Sequence, residues 1–593
     1  MRIFTRIDGS ICGAILSCRP PPAVTSKPSS PSICSTTRDE YRNPICSGVL
    51  AVTGRKGAAP NRRKRNGFSA VIFSRRVIST VATSGSRLLS STHSNQGFFS
   101  YSRRWNHAVA EVAGGIRPKQ ELLDIVGQYE DTSVEDHLEF LRDPYLRRYA
   151  PADGPRLSVS NRREDVNLQS VDSRHTTDPE IDEIVRKLQK AVLLKLRRPG
   201  RADLDAIYDL FQSLPEPRAS HITSQLRHQL FAVLSRTERK DYKSMLRYFS
   251  VVTDVRNSGF PLTTFEWNTA MSFASRYVGR STDVEVESAL HLWREMERVS
   301  GVRASDVTFN ILFDVASKAG KLHLAEMVYQ EMISRGYQFN RYHHVSLIHY
   351  FGLKQDSGGV RAAYKEMVES GEVIDSTVLN CVISGFLASG EEDSAMRVYD
   401  KMKSSAKTIN RIPPNIDYTM QKNITKVLMM FAKIAKRHPE MQPNFQQAAV
   451  TSPNLQTYRL LVNHFGPKLG DLSTVAQLLD EMKSFNLPLH GAIFLALFKA
   501  FGKHGGPGSD WSTQRLINVW GAFLDALDAQ SDGLYISTWV AMAILRAFSR
   551  SATRDEILDI YENLRSRWDL DAANSQFMME FLRKLMKQRG FYV

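Results

Sequence analysis

Three asparagines at matching places are the residues of this sequence best suited to recognising a partner. Asn268, Asn310 and Asn380 each follow a large apolar or aromatic residue. An amide side chain carries a hydrogen-bond donor and an acceptor together, so it can pair with a polar edge of a bound molecule. Asparagine also commonly begins helices by capping their first turn. The elements that carry these residues decide between the two roles.

These asparagines lie in a stretch whose residue types return every 35 positions. Four phases of this period carry related residues: Phe309, His344 and Leu379; Ala325, Val360 and Ala395; Tyr329, Tyr364 and Tyr399; and Met332, Met367 and Met402. A period between about 20 and 50 residues marks an array of small stacked units, because one unit alone cannot bury its apolar face. Function is therefore expected along a surface.

Residues 306–340 show what one unit is. Apolar residues recur at helical spacing in each half, Gly320 supplies a left-handed turn between the halves, and Gly336 ends the second. The small Ala325 lets two antiparallel helices approach closely. An acid before proline at Asp178–Pro179 predicts the start of an earlier helix. With no alternating strand pattern in the sequence, we expect an all-α array of helix-turn-helix units.

The sequence of this unit resembles the pentatricopeptide repeat. The resemblance is carried by VTFN at 307–310, KAG at 318–320, Ala325, Tyr329 and the Glu-Met pair at 331–332. It extends over about 259–489 and implies a right-handed α-solenoid of helix-turn-helix repeats that follows a disordered targeting leader. Tetratricopeptide units, which repeat every 34 residues, are the close alternative.

Composition and repeat quality divide the chain into six regions. We expect a mitochondrial targeting presequence at 1–105, a loosely ordered extension at 106–177, degenerate helical repeats at 178–262, the best-defined repeats at 263–410, a basic helical insertion at 411–453 and degenerate C-terminal helical repeats at 454–593.

In the resembled family each repeat meets about one RNA base. The residue after the opening aromatic and the last residue of the repeat read that base. Carried over to this sequence, the reading pairs are Asn268 with Ser305, Asn310 with Asn340, Val345 with Asp375, and Asn380 with Asn410. The asparagine-led pairs look like pyrimidine readers, whereas Val345 can sandwich a base without hydrogen bonding to it. The alternative is that these asparagines only cap or begin helices.

Most of the net charge of +16 belongs to the N-terminal region. Residues 1–110 contain 17 Lys and Arg and three acids, so they supply 14 of the 16 charges and leave the repeats nearly neutral. A basic, Ser-rich and acid-poor N-terminus resembles an organelle-targeting presequence, which predicts a protein of the mitochondrial matrix. Processing is expected between Arg87 and Trp105. A retained basic tail that binds nucleic acid is the alternative.

The distribution of cysteines agrees with a reducing compartment, and the apolar runs are too short to predict a membrane span. Four cysteines lie in the leader and only Cys381 follows it, so we expect no internal disulfide and no cysteine-rich zinc site beyond the leader. The nearest approach to a membrane span, 492–501, contains Lys499 and is shorter than the roughly 18 to 20 apolar residues that a span needs. The sequence therefore predicts no transmembrane segment.

RNA binding requires neutralisation of phosphates, and local charge in the insertion can supply it. A helix is expected at about 417–437, and by default its charges form a solvated face. Five of its cations are possible phosphate contacts: Lys422, Lys426, Lys433, Lys436 and Arg437.

The motifs of catalysis are absent. The segment 502–508 is glycine-rich but lacks the spacing and the Gly-Lys-Ser/Thr ending of a phosphate-binding loop. His343, His344 and His349 have no partnering cysteines or carboxylate motif that would make a metal site. We expect a binding protein and not an enzyme, with no cofactor and no metal.

Taken together, these features predict a mitochondrial protein that binds single-stranded organelle RNA. Its roles would lie in RNA processing, intron splicing, stability, small-subunit rRNA maturation or translation, and the mitochondrial small ribosomal subunit would be a further partner. The alternative is an α-solenoid scaffold for proteins, such as a respiratory-complex assembly factor. The neutral repeats and the degenerate terminal units keep this alternative open.

Overall fold

The computed structural model describes residues 119–127, 132–139, 178–198, 203–237, 242–275, 281–408, 418–506, 508–530, 533–568 and 572–590. These residues belong to one compact unit, and they contain helices and no strand. The predicted presequence at 1–105 lies outside the described residues. Among the described helices, none has the length and apolar character needed to cross a membrane.

The α-helices follow one another with short connections. In chain order they are α1 (Lys119–Leu123), α2 (Pro179–Arg197), α3 (Leu204–Gln212), α4 (Ser224–Leu234), α5 (Tyr242–Asn257), α6 (Thr264–Ala274), α7 (Asp283–Arg294), α8 (Asp306–Lys318), α9 (Leu322–Ser334), α10 (Arg341–Lys354), α11 (Ser357–Glu369), α12 (Ser376–Ser389), α13 (Glu392–Thr408), α14 (Tyr418–Arg437), α15 (Gln442–Ala448), α16 (Leu455–Asn463), α17 (Leu472–Ser484), α18 (Gly491–His504), α19 (Thr513–Asp528), α20 (Thr538–Phe548), α21 (Arg554–Ser566) and α22 (Ala572–Gln588). Short 3-10 turns lie at Asp124–Val126, Glu135–His137, Arg218–His221 and Pro439–Met441, and π-helical turns at Glu295–Val299 and His464–Leu469 extend α7 and α16.

From α2 onward, apart from the insertion that forms α14 and α15, the helices pack in consecutive pairs. Each pair has a first helix and a second helix, as in α6 with α7, α8 with α9 and α10 with α11. From α6 onward, each first helix also packs against the first helix of the next pair. This side-by-side stacking is an α-solenoid, as the repeat period predicts.

Short polar side chains determine where the first helices begin. Their N-cap residues are Thr223, Thr263, Ser305, Asn340, Asp375, Asn454, His490 and Ser537, and each side chain accepts a hydrogen bond from a backbone N–H of the first turn. Such caps satisfy donors that have no partner inside the helix. Gly320 ends the first helix of its pair at a φ of 73°, a left-handed conformation that strains other residues.

The residues that define the 35-residue period form the core of the central repeats. All twelve of them are buried, from Phe309 and Tyr329 in one pair to Tyr399 and Met402 two pairs later. Burial of one large apolar side chain contributes about 1.5–3 kcal/mol relative to exposure. The period seen in the sequence is therefore the period of the packed interior.

Two segments of the predicted extension, 119–127 and 132–139, pack against the central repeats. We call them the N-terminal strap. Leu122 and Leu138 are buried, and the Tyr364 hydroxyl in α11 donates to the Leu122 carbonyl oxygen at 3.0 Å. Within the extension expected to be loosely ordered, the apolar side chains of these two segments cover a surface of the solenoid.

The insertion between α13 and α16 has a small core of its own. Leu428, Phe431, Ala435, Phe445 and Ala449 form this core together with Val373 of the solenoid. Gln446 then fixes the insertion to the turn between α11 and α12, since its Oε1 accepts from the Ile374 N–H at 2.8 Å and its Nε2 donates to the Ile374 carbonyl at 2.7 Å.

Candidate nucleic-acid interface

Exposed apolar side chains recur at the second residue of consecutive first helices. Phe265 in α6, Val307 in α8 and Tyr342 in α10 are 53%, 51% and 47% exposed, and we call them the apolar row. Trp539 occupies the same place in α20 and is 69% exposed. Single exposed apolar residues are common, and these four stand out because they recur at one position of the first helices.

The predicted reading residues lie one turn beyond this row. Asn268, Asn310 and Val345 each come three positions after a member of the apolar row. Residues three apart share a face of a helix, so each apolar side chain has a reading residue beside it.

Asn268 uses its amide to connect two repeats. Its Nδ2 donates to Ser305 Oγ at 3.2 Å, and its Oδ1 accepts from Thr308 Oγ1 at 2.6 Å. Ser305 is the N-cap of α8 and Thr308 is the third residue of that helix. The predicted pair of Asn268 and Ser305 is thus in direct contact.

Asn380 makes the same two bonds with the start of α16. Its Nδ2 donates to Asn454 Oδ1 at 3.1 Å, and its Oδ1 accepts from Thr457 Oγ1 at 2.7 Å. Asn380 is 5% exposed, so little of it faces solvent. Each amide still has a second N–H hydrogen and a second acceptor lone pair, so these bonds do not exhaust its capacity.

Asn410, the predicted partner of Asn380, lies outside the described residues. The cap that contacts Asn380 is Asn454, because the insertion delays the next first helix by more than one repeat length. The 35-residue period does not lead to Asn454. The sequence feature that identifies Asn454 as a cap is its spacing of three residues from Thr457, which matches the spacing of Ser305 and Thr308.

Asn310 differs from the other two asparagines because its Oδ1 is buried without a hydrogen-bond partner. The third residue of the next first helix is His343 in place of a threonine. Burial lowers the pKa of His343. Its Nδ1 accepts a hydrogen bond from the backbone N–H of Asn340 at 3.1 Å. The predicted partner Asn340 bonds through its Nδ2 to Asp306 Oδ2 at 3.1 Å. Asn310 lines a small pocket beside Phe313, so its Oδ1 is an acceptor without a hydrogen-bond partner in the wall of that pocket.

The pair of Val345 and Asp375 contains no hydrogen bond between its members. Asp375 Oδ1 caps α12 by accepting from the backbone N–H groups of Thr377 and Val378, at 3.0 and 3.1 Å. It also forms a buried ion pair with Arg341. The carboxylate of Asp375 is thus already neutralised within the solenoid.

An earlier contact of the same kind was missed by the sequence reasoning. His228 is the fifth residue of α4, and its Nδ1 lies 2.7 Å from Oε1 of Glu266, the third residue of α6. The hydrogen bond with Glu266 raises the pKa of His228. The sequence feature that could have indicated this contact is the capping box of Thr263 and Glu266, which marks the start of α6.

The five predicted phosphate contacts lie on α14. Lys422, Lys426, Lys433, Lys436 and Arg437 are all exposed. Lys422, Lys426, Lys433 and Arg437 follow spacings of four, seven and four residues, which place them on one face of the helix. Within the described part of the chain, no cluster of three or more His, Cys, Asp or Glu side chains is placed to hold a metal ion.

The paired helices, with the apolar row on three consecutive first helices, define a helical-repeat protein. A family model of the PPR repeat matches residues 307–337 and 377–405, which contain the first and second helices of two pairs. These two segments are thus similar to the pentatricopeptide repeat. The matched model describes a repeat and not a catalytic domain.

Similar proteins cover parts of the chain. The pentatricopeptide repeat-containing protein At4g21065 of Arabidopsis thaliana is 32% identical over 145 residues, which are 24% of this chain and 22% of the relative. The chain therefore matches about a fifth of the length of this curated relative. Solved structures of PPR10 in complex with an 18-nt psaJ RNA element, and of PPR10 from maize, are 16% identical over 70% of this chain and 64% and 66% of theirs, with TM-scores of 0.23 and 0.24.

Proposed function

We propose that this chain binds single-stranded RNA along the first helices of its repeats. The observation that carries the proposal is the apolar row, Phe265, Val307 and Tyr342, with a predicted reading residue one turn from each member. Bases of any sequence stack on such side chains, and polar groups beside them can bond to base edges. The matched repeat family supports RNA as the partner.

The basic and acid-poor N-terminal region supports action in the mitochondrial matrix. There the protein would hold a single-stranded segment of an organelle transcript. Occupancy would protect that segment from nucleases or keep it unpaired for splicing, for rRNA maturation or for translation by the small ribosomal subunit.

A single substitution in the apolar row tests the binding surface. Phe265→Ala removes one stacking platform, worth about 1–3 kcal/mol, so the affinity for a labelled pyrimidine oligoribonucleotide should fall roughly 5- to 150-fold. The matched control is Phe577→Ala in α22, where an aromatic side chain is 48% exposed outside the row. Equal affinities for the two variants would refute the role of the row.

Crosslinking in isolated mitochondria tests the partner itself. We expect enrichment of a defined RNA segment with the full chain and a weaker enrichment with Phe265→Ala. Recovery of one protein complex without enriched RNA would instead support the scaffold alternative and reject RNA binding.

A further inference from the structure

The exposed cations of α14 form a stripe along the helix. Lys422, Lys426, Lys433, Lys436 and Arg437 span 15 positions, which correspond to about 22 Å along a helix that rises 1.5 Å per residue. The opposite face of α14 is apolar, and it is fixed to the solenoid through Leu428 and Phe431. The packing therefore holds the cations outward as a group. We call them the basic stripe.

Four cations of the basic stripe lie outside the ion pairs of the described residues, unlike Arg335 and Lys403 of the repeats. In the repeats, Arg335 pairs with Glu297 at 2.7 Å, and Lys403 pairs with Glu481 at 3.0 Å. By contrast, four members of the stripe form no ion pair with any described residue: Lys426, Lys433, Lys436 and Arg437. Their charge is thus available to an external anion.

The insertion lies where the apolar row ends. Gln421 at the start of α14 donates through Nε2 to Thr377 Oγ1 at 3.3 Å. Thr377 is the second residue of α12 and occupies the place that Tyr342 has in α10. At the other end of the insertion, the Val450 carbonyl accepts from the Ser376 N–H at 2.9 Å. A strand that follows the row from α6 to α10 therefore reaches the insertion at α12.

From this geometry we infer that the basic stripe is a phosphate-binding surface for the RNA strand as it leaves the apolar row. The inference rests on the proposed RNA binding and adds to it a division of labour. The repeats hold bases by stacking and hydrogen bonds, whereas the insertion neutralises the backbone. Lysine and arginine contacts to phosphates carry no sequence information, so the stripe would raise affinity for every sequence alike.

The salt dependence of RNA binding tests the inference. For single strands the slope of log affinity against log salt is about −0.7 per phosphate neutralised. In the full chain, K426Q/K433Q/R437Q should therefore make the slope shallower by about 2, and doubling the salt should cost this variant roughly 4-fold less affinity than it costs the wild type. The probe is a labelled, unstructured pyrimidine oligoribonucleotide.

Two further variants serve as controls. R583Q/K584Q/K587Q removes three exposed cations from α22, another helix end, and should keep the wild-type slope. K426R/K433R/R437K keeps the charge of the stripe and should also keep that slope. Because the stripe lies on an exposed face, the melting curves of all variants should match the wild type.

The outcomes separate this inference from the proposed function. If the wild type binds RNA and K426Q/K433Q/R437Q keeps its slope, the inference fails and RNA binding by the repeats stands. If that variant instead loses a co-purifying protein, the stripe is a protein-binding surface and the inference is overturned. If the wild type binds no RNA, both proposals fail together.

Discussion

Replacing Asn380 with alanine tests whether the hydrogen bonds of this predicted reading residue hold neighbouring repeats together. The change removes two hydrogen bonds, to Asn454 at 3.1 Å and from Thr457 at 2.7 Å. A buried hydrogen bond contributes about 1 kcal/mol net, so the pair contributes about 2 kcal/mol. Solvent replaces little of this, because Asn380 is 5% exposed. Asn310→Ala is the matched control, since its Oδ1 has no partner to lose.

Hydrogen exchange followed by mass spectrometry measures this difference locally, which suits a repeat array whose units open separately. A loss of about 2 kcal/mol corresponds to roughly 30-fold faster exchange in peptides from α12 and α16. Asn310→Ala should leave exchange in α8 and α10 nearly unchanged. Equal acceleration in both variants, or none in Asn380→Ala, would refute the assignment of a connecting role to Asn380.

Three other perturbations follow from buried contacts. Leu138→Ala should cost about 2–5 kcal/mol locally and make the strap open to limited proteolysis, because Leu138 is fully buried; unchanged cleavage would contradict its packing. Asp375→Asn should cost about 3–5 kcal/mol in urea denaturation by leaving Arg341 buried without its partner, and a loss below 1 kcal/mol would argue against that ion pair. Protonated His228, paired with Glu266, should stabilise α4 and α6 at pH values below 6.5, the ordinary pKa of histidine. This stabilisation should be lost as the pH rises through the higher pKa that His228 has in the folded state. His228→Gln should remove this pH dependence from hydrogen exchange, and its persistence would assign the effect to another group.

The period of the sequence predicts the repeats well because it is set by burial. Tyr329 and Tyr364 recur at one spacing since each must fill the same space between neighbouring pairs. The pairing of Asn380 with Asn410 is a different kind of prediction, because it assumes that the next repeat follows at once. The insertion breaks that assumption, and Asn454 takes the place of the cap.

The hydrogen bonding of each predicted reading residue also depends on its neighbours. Asn268 and Asn310 have the same side chain and the same place in their helices, yet only Asn268 meets a threonine hydroxyl from the next repeat. His343 stands where Asn310 would need that hydroxyl, and its ring stacks on Phe339 with 5.5 Å between centroids. Such a difference arises between repeats and leaves no mark on the helical pattern of either one.

The sequence by itself determined the helical units, their period, their caps and the residues of their core, because these follow from local spacing and from the need to bury apolar side chains. Only the tertiary structure decided which polar groups remain available. It committed Asn380 to Asn454, left the Asn310 acceptor without a partner, and placed the insertion against Thr377. These outcomes depend on contacts between residues far apart in the chain, and hydrogen bonding is satisfied or left open only when such residues meet.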